Sequence, residues 1–236
     1  MNKSVILIPA LNPPKEFIQY TKDLTNNENI DLIIIDDGSS DEYKYIFDEI
    51  RKRKNTVVLV HEENKGKGRA LKTGFQYFIN HYQKKDGIGI VTADSDGQHL
   101  VKDILNISNE LNNIEKEGFI LGTRNFNLKN VPTRSRLGNK ITTFIFKLLF
   151  GKKIQDTQTG LRGLTYDFAK ECIEIPGERF EYEINMLMKA VKDEIAIKEV
   201  EIDTVYINHN SESHFNPWKD SFKIYKVMFK EFFKKK

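Results

Sequence analysis

The chain has 236 residues, enough for one large domain or two small ones. Its 39% hydrophobic and 30% charged residues are the make-up of a soluble globular protein, and a net charge of +3 is too weak to argue for nucleic acid. The single cysteine, Cys172, excludes an internal disulfide framework and fits a reducing compartment.

Val5-Ile6-Leu7-Ile8 reads as a buried strand ended by Pro9. It is too short for a secretory apolar region, and no run in the chain reaches the ~18 apolar residues of a membrane span. The expected location is therefore cytoplasmic, with any membrane contact peripheral, on the inner face of the cell membrane. Ala10 to Pro14 is a loop, because neither strand nor helix accommodates its two prolines. Lys15 to Leu24 carries helical spacing. Leu32 to Ile35 is a second buried strand running into Asp36-Asp37-Gly38-Ser39-Ser40-Asp41, whose Ser40 or Asp41 suits the cap of a helix from Glu42 to Lys52. Thr56 to Val60 is a third strand. A basic glycine loop, Asn64-Lys65-Gly66-Lys67-Gly68, then opens a helix from Arg69 to Tyr82.

Gly87 to Thr92 is a fourth strand, Leu100 to Lys116 a helix and Gly118 to Gly122 a fifth strand. This alternation predicts an α/β fold with a mainly parallel central sheet flanked by helices. Further on, Thr123 to Arg136 is polar and Leu137 to Phe150 densely apolar. Asp156 to Gly163 is a loop, and Phe180 to Val191 a helix. Ile195 to Ile207 reads as two short strands broken at Asp203, and Trp218 to Phe233 as a basic amphipathic helix. Cys172 reads as a packed helical residue, since a reactive thiol needs a partner base. The expected division is one domain over 1–217 and a C-terminal helix over 218–236.

In open α/β sheets ligands bind at the carboxyl ends of the strands. The polar clusters of this chain fall at such ends: Pro9-Ala10, Asp36-Asp37, the lysine-glycine loop, and Asp94-Ser95-Asp96. The last pair stands i, i+2, so both carboxylates can face one point, and a hard divalent cation such as Mg²⁺ or Mn²⁺ relieves their repulsion. A bare Asp-x-Asp more often caps a helix; the convergence of four strand ends argues for the metal. In the lysine-glycine loop, glycines let the backbone approach a phosphate and lysines neutralise it. Its spacing is that of neither a P-loop nor a dinucleotide fingerprint.

The segments Ile8-Pro9-Ala10-Leu11-Asn12, Asp36-Asp37-Gly38-Ser39-Ser40-Asp41, Asn64 to Leu71, and Asp94-Ser95-Asp96-Gly97-Gln98-His99 occur in the order and spacing of family 2 glycosyltransferases. Within that family the chain resembles the dolichyl- and polyprenyl-phosphate sugar synthases, a likeness extended by Asp156-Thr157-Gln158-Thr159-Gly160-Leu161-Arg162 and Ser213-His214-Phe215-Asn216-Pro217. The resemblance implies a GT-A nucleotide-sugar-binding fold and inversion at the anomeric carbon. Pro9, Ala10, Asn12, Asp36, Asp37, Lys67 and Asp94 would line the donor nucleotide, UDP- or GDP-linked. Asp94 and Asp96, helped by Gln98, would hold the metal on the diphosphate, with His99 as a neighbour or a helix cap. Pro13-Pro14 depart from the family, which often carries an acidic residue after the asparagine, so no nucleotide contact is assigned to position 13.

A phosphate monoester acceptor needs cations rather than a general base. Arg124, Arg134, Ser135 and Arg136 supply them just ahead of Ile141 to Phe150, which suits a polyprenyl phosphate with its tail along the helix. Asp156 and Arg124 complete the expected catalytic set with Asp94 and Asp96; Asp156 and Arg162 lie in the loop that in this family faces the acceptor. Were the acceptor a glycan, polysaccharide or protein hydroxyl, Glu181 and Glu183 are the candidate bases. A sugar nucleotidyltransferase is disfavoured, because Ile8 to Pro14 lacks the glycine-rich loop with a basic residue usual in such enzymes. In the C-terminal helix Trp218, Phe222, Tyr225, Phe229 and Phe232 form an apolar stripe. Five lysines against one glutamate among residues 226–236 add attraction to anionic lipid. A membrane surface, a separate membrane subunit or a second copy of the chain are the expected partners of that helix.

Overall fold

The structure, a computed structural model, describes residues 3–26, 29–84, 87–114, 117–128, 131–203 and 217–234. Its strands are β1 (Ser4–Ala10), β2 (Ile30–Asp36), β3 (Thr56–Val60), β4 (Ile90–Thr92), β5 (Gly118–Arg124), β6 (Arg162–Leu164) and β7 (Ala196–Ile202). The helices are α1 (Phe17–Thr25), α2 (Lys44–Arg51), α3 (Lys67–His81), α4 (Val101–Asn112), α5 (Thr133–Phe150), α6 (Tyr166–Cys172), α7 (Glu181–Lys192) and α8 (Pro217–Phe233).

The strands form one sheet in the order β3-β2-β1-β4-β6-β5-β7. Its pairings are parallel except those of β6, which runs antiparallel to both β4 and β5. β1 and β2 are buried along their whole length, as central strands covered on both faces must be. The two-residue period of β1 sorts its side chains between two cores. Ile6 and Ile8 join Phe17, Leu24, Phe47, Ile50, Ile104 and Ile107 under α1, α2 and α4. Val5 and Leu7 join Leu71, Phe75, Phe168, Tyr182 and Met186 under α3, α6 and α7.

The chain runs outward from β1 through β2 to β3 and returns to β4 on the other flank of β1. That reversal leaves a crevice between the carboxyl ends of β1 and β4, where sheets of this kind bind ligands. Ala10 and the Asp94–Asp96 loop stand at its two lips.

Several elements differ from the sequence reading. The fourth strand begins at Ile90, because Gly87 takes φ 66° in the preceding turn. The end of the expected 156–163 loop is β6, a three-residue strand with an arginine and a glycine and no apolar periodicity to betray it. Beyond Asp203 the second expected strand lies outside the described residues, as do residues 213–216 of the last motif. The C-terminal helix presents a different face to the domain from the stripe expected to lead. Ile224 and Met228 are the buried residues, and the Tyr225 hydroxyl lies 3.2 Å from Thr142 Oγ1 of α5. Phe222, Phe229 and Phe233 remain exposed. No helix among the described residues is long and apolar enough to cross a membrane.

The central helix α3 sits close on the sheet through a glycine: a Cβ on Gly74 would come within 2.2 Å of Leu7 Cδ1, which is wholly buried. Gly74→Val is therefore expected to cost about 1–3 kcal/mol through overpacking. Chemical denaturation measures it, and an unchanged midpoint would show that Leu7 can step aside.

Candidate active site

The loops at the carboxyl edge are stapled together before any ligand is considered. Asp37 N donates to Ala10 O (2.9 Å) and His61 N to Asp36 O (2.8 Å), extending the β1-β2-β3 ladder beyond the strands. Asn12, at φ 47°, donates its backbone N–H to Ser39 Oγ and accepts from Ser40 N through Oδ1, both at 2.9 Å. Asp36 Oδ1 accepts from Ser39 N at 2.9 Å. Gly38 takes φ 76°, and a Cβ there would lie 2.3 Å from the carbonyl carbon of Glu63, so this loop packs directly on the next.

Asp37 is the fastener of the lysine-glycine loop. Its Oδ1 accepts from Lys65 N (3.0 Å) and its Oδ2 from Gly66 N (2.8 Å). His61 Nδ1 lies 2.7 Å from Oδ1, and His61 Nε2 lies 2.9 Å from Thr73 Oγ1. A carboxylate only accepts, so Nδ1 carries a proton. Asp36, Asp37 and Asn12, read from the resemblance as nucleotide contacts, thus each have an internal duty. His61 escaped the sequence reading, although its position directly after the third strand is a signal of the kind that drew attention to the other strand ends.

The loop so fixed delivers Lys67, the first residue of α3, to the crevice. Lys67 Nζ stands 2.7 Å from Asp94 Oδ1 and 3.0 Å from Glu183 Oε2 in the first turn of α7. His99 Nδ1 accepts from Asp94 N at 3.1 Å, leaving the Nε2 proton toward Asp94 Oδ2, 3.9 Å away. Tyr20 Oη donates to His99 O at 2.7 Å, a brace from α1 that sequence reading did not find. A Cβ on Gly160 would fall 2.4 Å from Asp94 Oδ2, so the backbone at 160 presses against this carboxylate. Thr92 Oγ1 donates to Gly160 O at 2.8 Å and holds it there.

Burial works against the Asp94 charge, but the Lys67 ammonium, with His99 and Arg124, outweighs it and holds the carboxyl down at about 2. Asp96 goes the other way: burial first, then the neighbouring Asp94 charge, push it up to about 6. Burial also lowers His99 to about 4, so its ring is neutral near pH 7. Asp96 Oδ1 accepts from Gln98 N at 3.0 Å, which turns the loop.

Among the described residues no group of three or more His, Cys, Asp or Glu side chains forms a metal cage. The donor set nevertheless fits a hard divalent cation. Two close carboxylates, one raised by the other's charge, suit Mg²⁺ or Mn²⁺, which are commonly held by one or two carboxylates together with substrate phosphates.

Around the rim, Arg124 at the end of β5 makes a forked pair with Asp156: Nε to Oδ2 at 2.6 Å and Nη2 to Oδ1 at 3.0 Å. Asp156 is fully buried and also accepts from Gln158 N at 3.1 Å, so it sets the plane of the guanidinium. Arg136 turns away, donating through Nη2 to Leu128 O at 2.9 Å. Arg134 and Ser135 lie in the first turn of α5. The two candidate bases part company. Glu181 Oε1 accepts from Glu178 N (3.3 Å) and Arg179 N (3.4 Å) and ties down the turn ahead of α7. Glu183 reaches the site through Lys67. The buried Arg162 donates to Thr159 O (2.8 Å) and Glu183 O (2.6 Å), tying β6 to α7 rather than facing the crevice.

The profile of glycosyl transferase family 2 matches residues 5–172, from β1 through α6. The chain is a family 2 glycosyltransferase. Over 211 residues it is 32% identical to an uncharacterized protein of Methanocaldococcus jannaschii, covering 87% of this chain and 82% of that one. It is also 32% identical, over 222 residues, to the UDP-N-acetylglucosamine–dolichyl-phosphate N-acetylglucosaminyltransferase of Methanococcus voltae, covering 87% and 86%. In fold it resembles glucosyl-3-phosphoglycerate synthase of Mycobacterium tuberculosis, solved with Mn²⁺, UDP and glucosyl-3-phosphoglycerate: TM-score 0.71 at 14% identity, covering 97% of this chain and 79% of that one. The glycosyltransferase therefore has the GT-A fold, as the motif order implied.

The raised Asp96 carboxyl has a consequence for stability. A fold that prefers this group protonated is most favoured at low pH and loses that contribution as pH rises through about 6. With metal chelated, Asp96→Asn should stabilise the protein at pH 7.5 by roughly 1 kcal/mol and make little difference at pH 4. Thermal melts at the two pH values test this, and a variant less stable at pH 7.5 contradicts the assigned repulsion.

Proposed function

We propose that this glycosyltransferase moves a hexose from a nucleoside diphosphate sugar to a polyprenyl phosphate, with inversion at the anomeric carbon and with Mg²⁺ or Mn²⁺ on the donor diphosphate. The observation that carries the acceptor is an apolar stripe next to the Arg124 rim. On the outside of α5, Leu137, Ile141, Phe144 and Leu148 stand i, i+4, i+7, i+11 and are 43–70% exposed. Asn139 Nδ2 donates to Gln155 O at 2.7 Å, which ties α5 to the loop carrying Asp156 and so to Arg124. A cationic rim joined to an exposed greasy helix matches an acceptor that is a phosphate at one end and a hydrocarbon at the other. The Methanococcus voltae relative, named for transfer to dolichyl phosphate, supports the same reading.

Asp94 and Asp96, with Gln98, would hold the metal, which when bound supplies neutralisation of charge on the departing diphosphate. Lys67 adds a cation to the same group from the start of α3. Arg124, held in plane by Asp156, grips the acceptor phosphate, with Arg134 and Ser135 in the first turn of α5 as further candidates, while Arg136 is held by Leu128 O. One phosphate oxygen attacks the anomeric carbon from the face opposite the diphosphate; the new C–O bond forms as the old one breaks. The acceptor oxygen is already ionised, so no proton has to move. A hydroxyl acceptor would need a base, and both candidates are engaged, Glu181 by the backbone of the turn ahead of α7 and Glu183 by Lys67.

The deciding experiment is a donor screen with a short polyprenyl phosphate and Mg²⁺ or Mn²⁺, reading released nucleotide. Asp96→Ala is expected to lower turnover by at least about 100-fold, the scale of losing one electrostatic stabiliser; wild-type turnover would falsify its metal role. Arg124→Ala should raise KM for the lipid phosphate well above its effect on the donor KM, and equal effects would remove Arg124 from the acceptor site. Membrane docking adds a further expectation. Phe222 and Phe229 project from α8, with Lys223, Lys226 and Lys230 beside them. Replacing both phenylalanines by serine should weaken binding to vesicles containing phosphatidylglycerol by tenfold or more, on the order expected for two buried aromatic side chains. Undiminished binding would place the contact elsewhere.

A further inference from the structure

We infer that Lys67 competes with the divalent cation for Asp94, so that metal and donor diphosphate enter the site together rather than the metal entering first. The inference rests on the metal reading given under the proposed function and concerns what this chain's own lysine does to it.

The Lys67 ammonium is 2.7 Å from Asp94 Oδ1, with its side chain only 17% exposed. A Mg²⁺ or Mn²⁺ ligated by the same carboxylate stands about 2.1 Å from its oxygen. Two cations on one small carboxylate repel, the more so out of bulk water. The metal therefore has to move Lys67 aside. The structure shows where it goes. Glu183 Oε2 already accepts from Lys67 at 3.0 Å, while Glu183 Oε1 lies 3.9 Å from Arg162 Nε, too far for a hydrogen bond. Glu183 is thus a second seat, its carboxylate set between two cations. A diphosphate arriving beside the start of α3 is a third seat, and a better one, because it brings negative charge to the N-terminus of a 15-residue helix as well. Once Lys67 leaves Asp94 for the diphosphate, the carboxylate is released to the metal. By linkage the metal and the nucleotide then strengthen each other's binding through the lysine, in addition to their direct contact.

Two substitutions shift the competition in opposite directions. Lys67→Gln removes the competitor, and the full-length variant should bind Mn²⁺ alone about tenfold more tightly than wild type, a size usual for couplings of this kind. Glu183→Gln removes the alternate seat, holds Lys67 on Asp94, and should weaken binding of Mn²⁺ alone. Lys65→Gln makes the same charge change on an exposed side chain of the same loop and should bind Mn²⁺ alone within about twofold of wild type. Titration calorimetry with Mn²⁺ alone, and with Mn²⁺ plus UDP or GDP, reads all four proteins. Melting curves confirm that each variant is folded. If Lys67→Gln does not fold, Glu183→Gln decides alone, and unchanged or tighter Mn²⁺ binding by it overturns the inference. Equal Mn²⁺ affinity in wild type and Lys67→Gln, or an equal gain in Lys65→Gln, also overturns it while leaving the metal site standing. No Mn²⁺ binding by any of the proteins, with either nucleotide, overturns the metal assignment and the inference together.

Discussion

Two carboxylates two residues apart, drawn partly out of water at the end of β4, repel each other, and the architecture around them answers that repulsion unevenly. Asp94 receives the Lys67 ammonium and falls to about 2, whereas Asp96 receives no such partner and rises to about 6. A symmetrical arrangement would have stabilised the pair in the absence of any ligand. This one leaves repulsion at Asp96 in place, which the divalent cation proposed above would relieve. The neighbouring choices follow from Asp94. His99 is turned so that its lone pair takes Asp94 N, and Gly160 is small enough to let the backbone of the adjoining loop close on the carboxylate.

Placing Lys67 there requires a rigid loop, and the polar motifs of the first half of the chain supply it. Asp37, with two backbone N–H groups and His61, holds the turn that Gly66 makes at φ 98°, and α3 starts at the next residue. On the far side, the short antiparallel β6 inserts Arg162 between the sheet and α7. A fully buried guanidinium is costly unless bonded, and here it is bonded to the carbonyls of Thr159 and Glu183. That bond fixes the first turn of α7 and with it the second carboxylate that Lys67 touches.

The parallel half of the sheet was legible because buried strands such as Val5–Ile8 and Leu32–Ile35 are unbroken apolar runs, and their ends carry polar clusters at regular intervals. β6 was not, because three residues inserted antiparallel between β4 and β5 acquire their strand character from their neighbours and not from any period of their own. At the site the residue types were legible and their duties less so. Asp36 and Asp37 are adjacent and chemically alike, yet one caps a turn and the other clamps a loop. Glu181 and Glu183 differ by two positions, about 200° around a helix, which directs one to the preceding turn and the other to the crevice. Sequence proximity suggests that such pairs act together; helical and turn geometry separates them. For the same reason the stripe expected on α8 was centred about one residue, roughly 100°, away from the face that packs. Ile224 and Met228 take the core, and Tyr225 meets Thr142 of α5.

That rotation bears on what the enzyme meets outside. α5 is apolar on two sides: Phe146 is wholly buried in the core, while Phe144 and Leu148 point outward at 67% and 70% exposure. A helix apolar all round is ordinarily covered on every side, and a soluble fold gains nothing by presenting such a stripe to water. α8 lies against α5, bonded to it at Thr142, and presents Phe222, Phe229 and Phe233 in addition. Lys140 and Lys147 of α5 and Lys223, Lys226 and Lys230 of α8 give these helices an excess of positive charge, which suits the anionic lipid surface proposed above. On the reading proposed above, a lipid phosphate acceptor would meet Arg124 with its charged end and these apolar faces with its hydrocarbon.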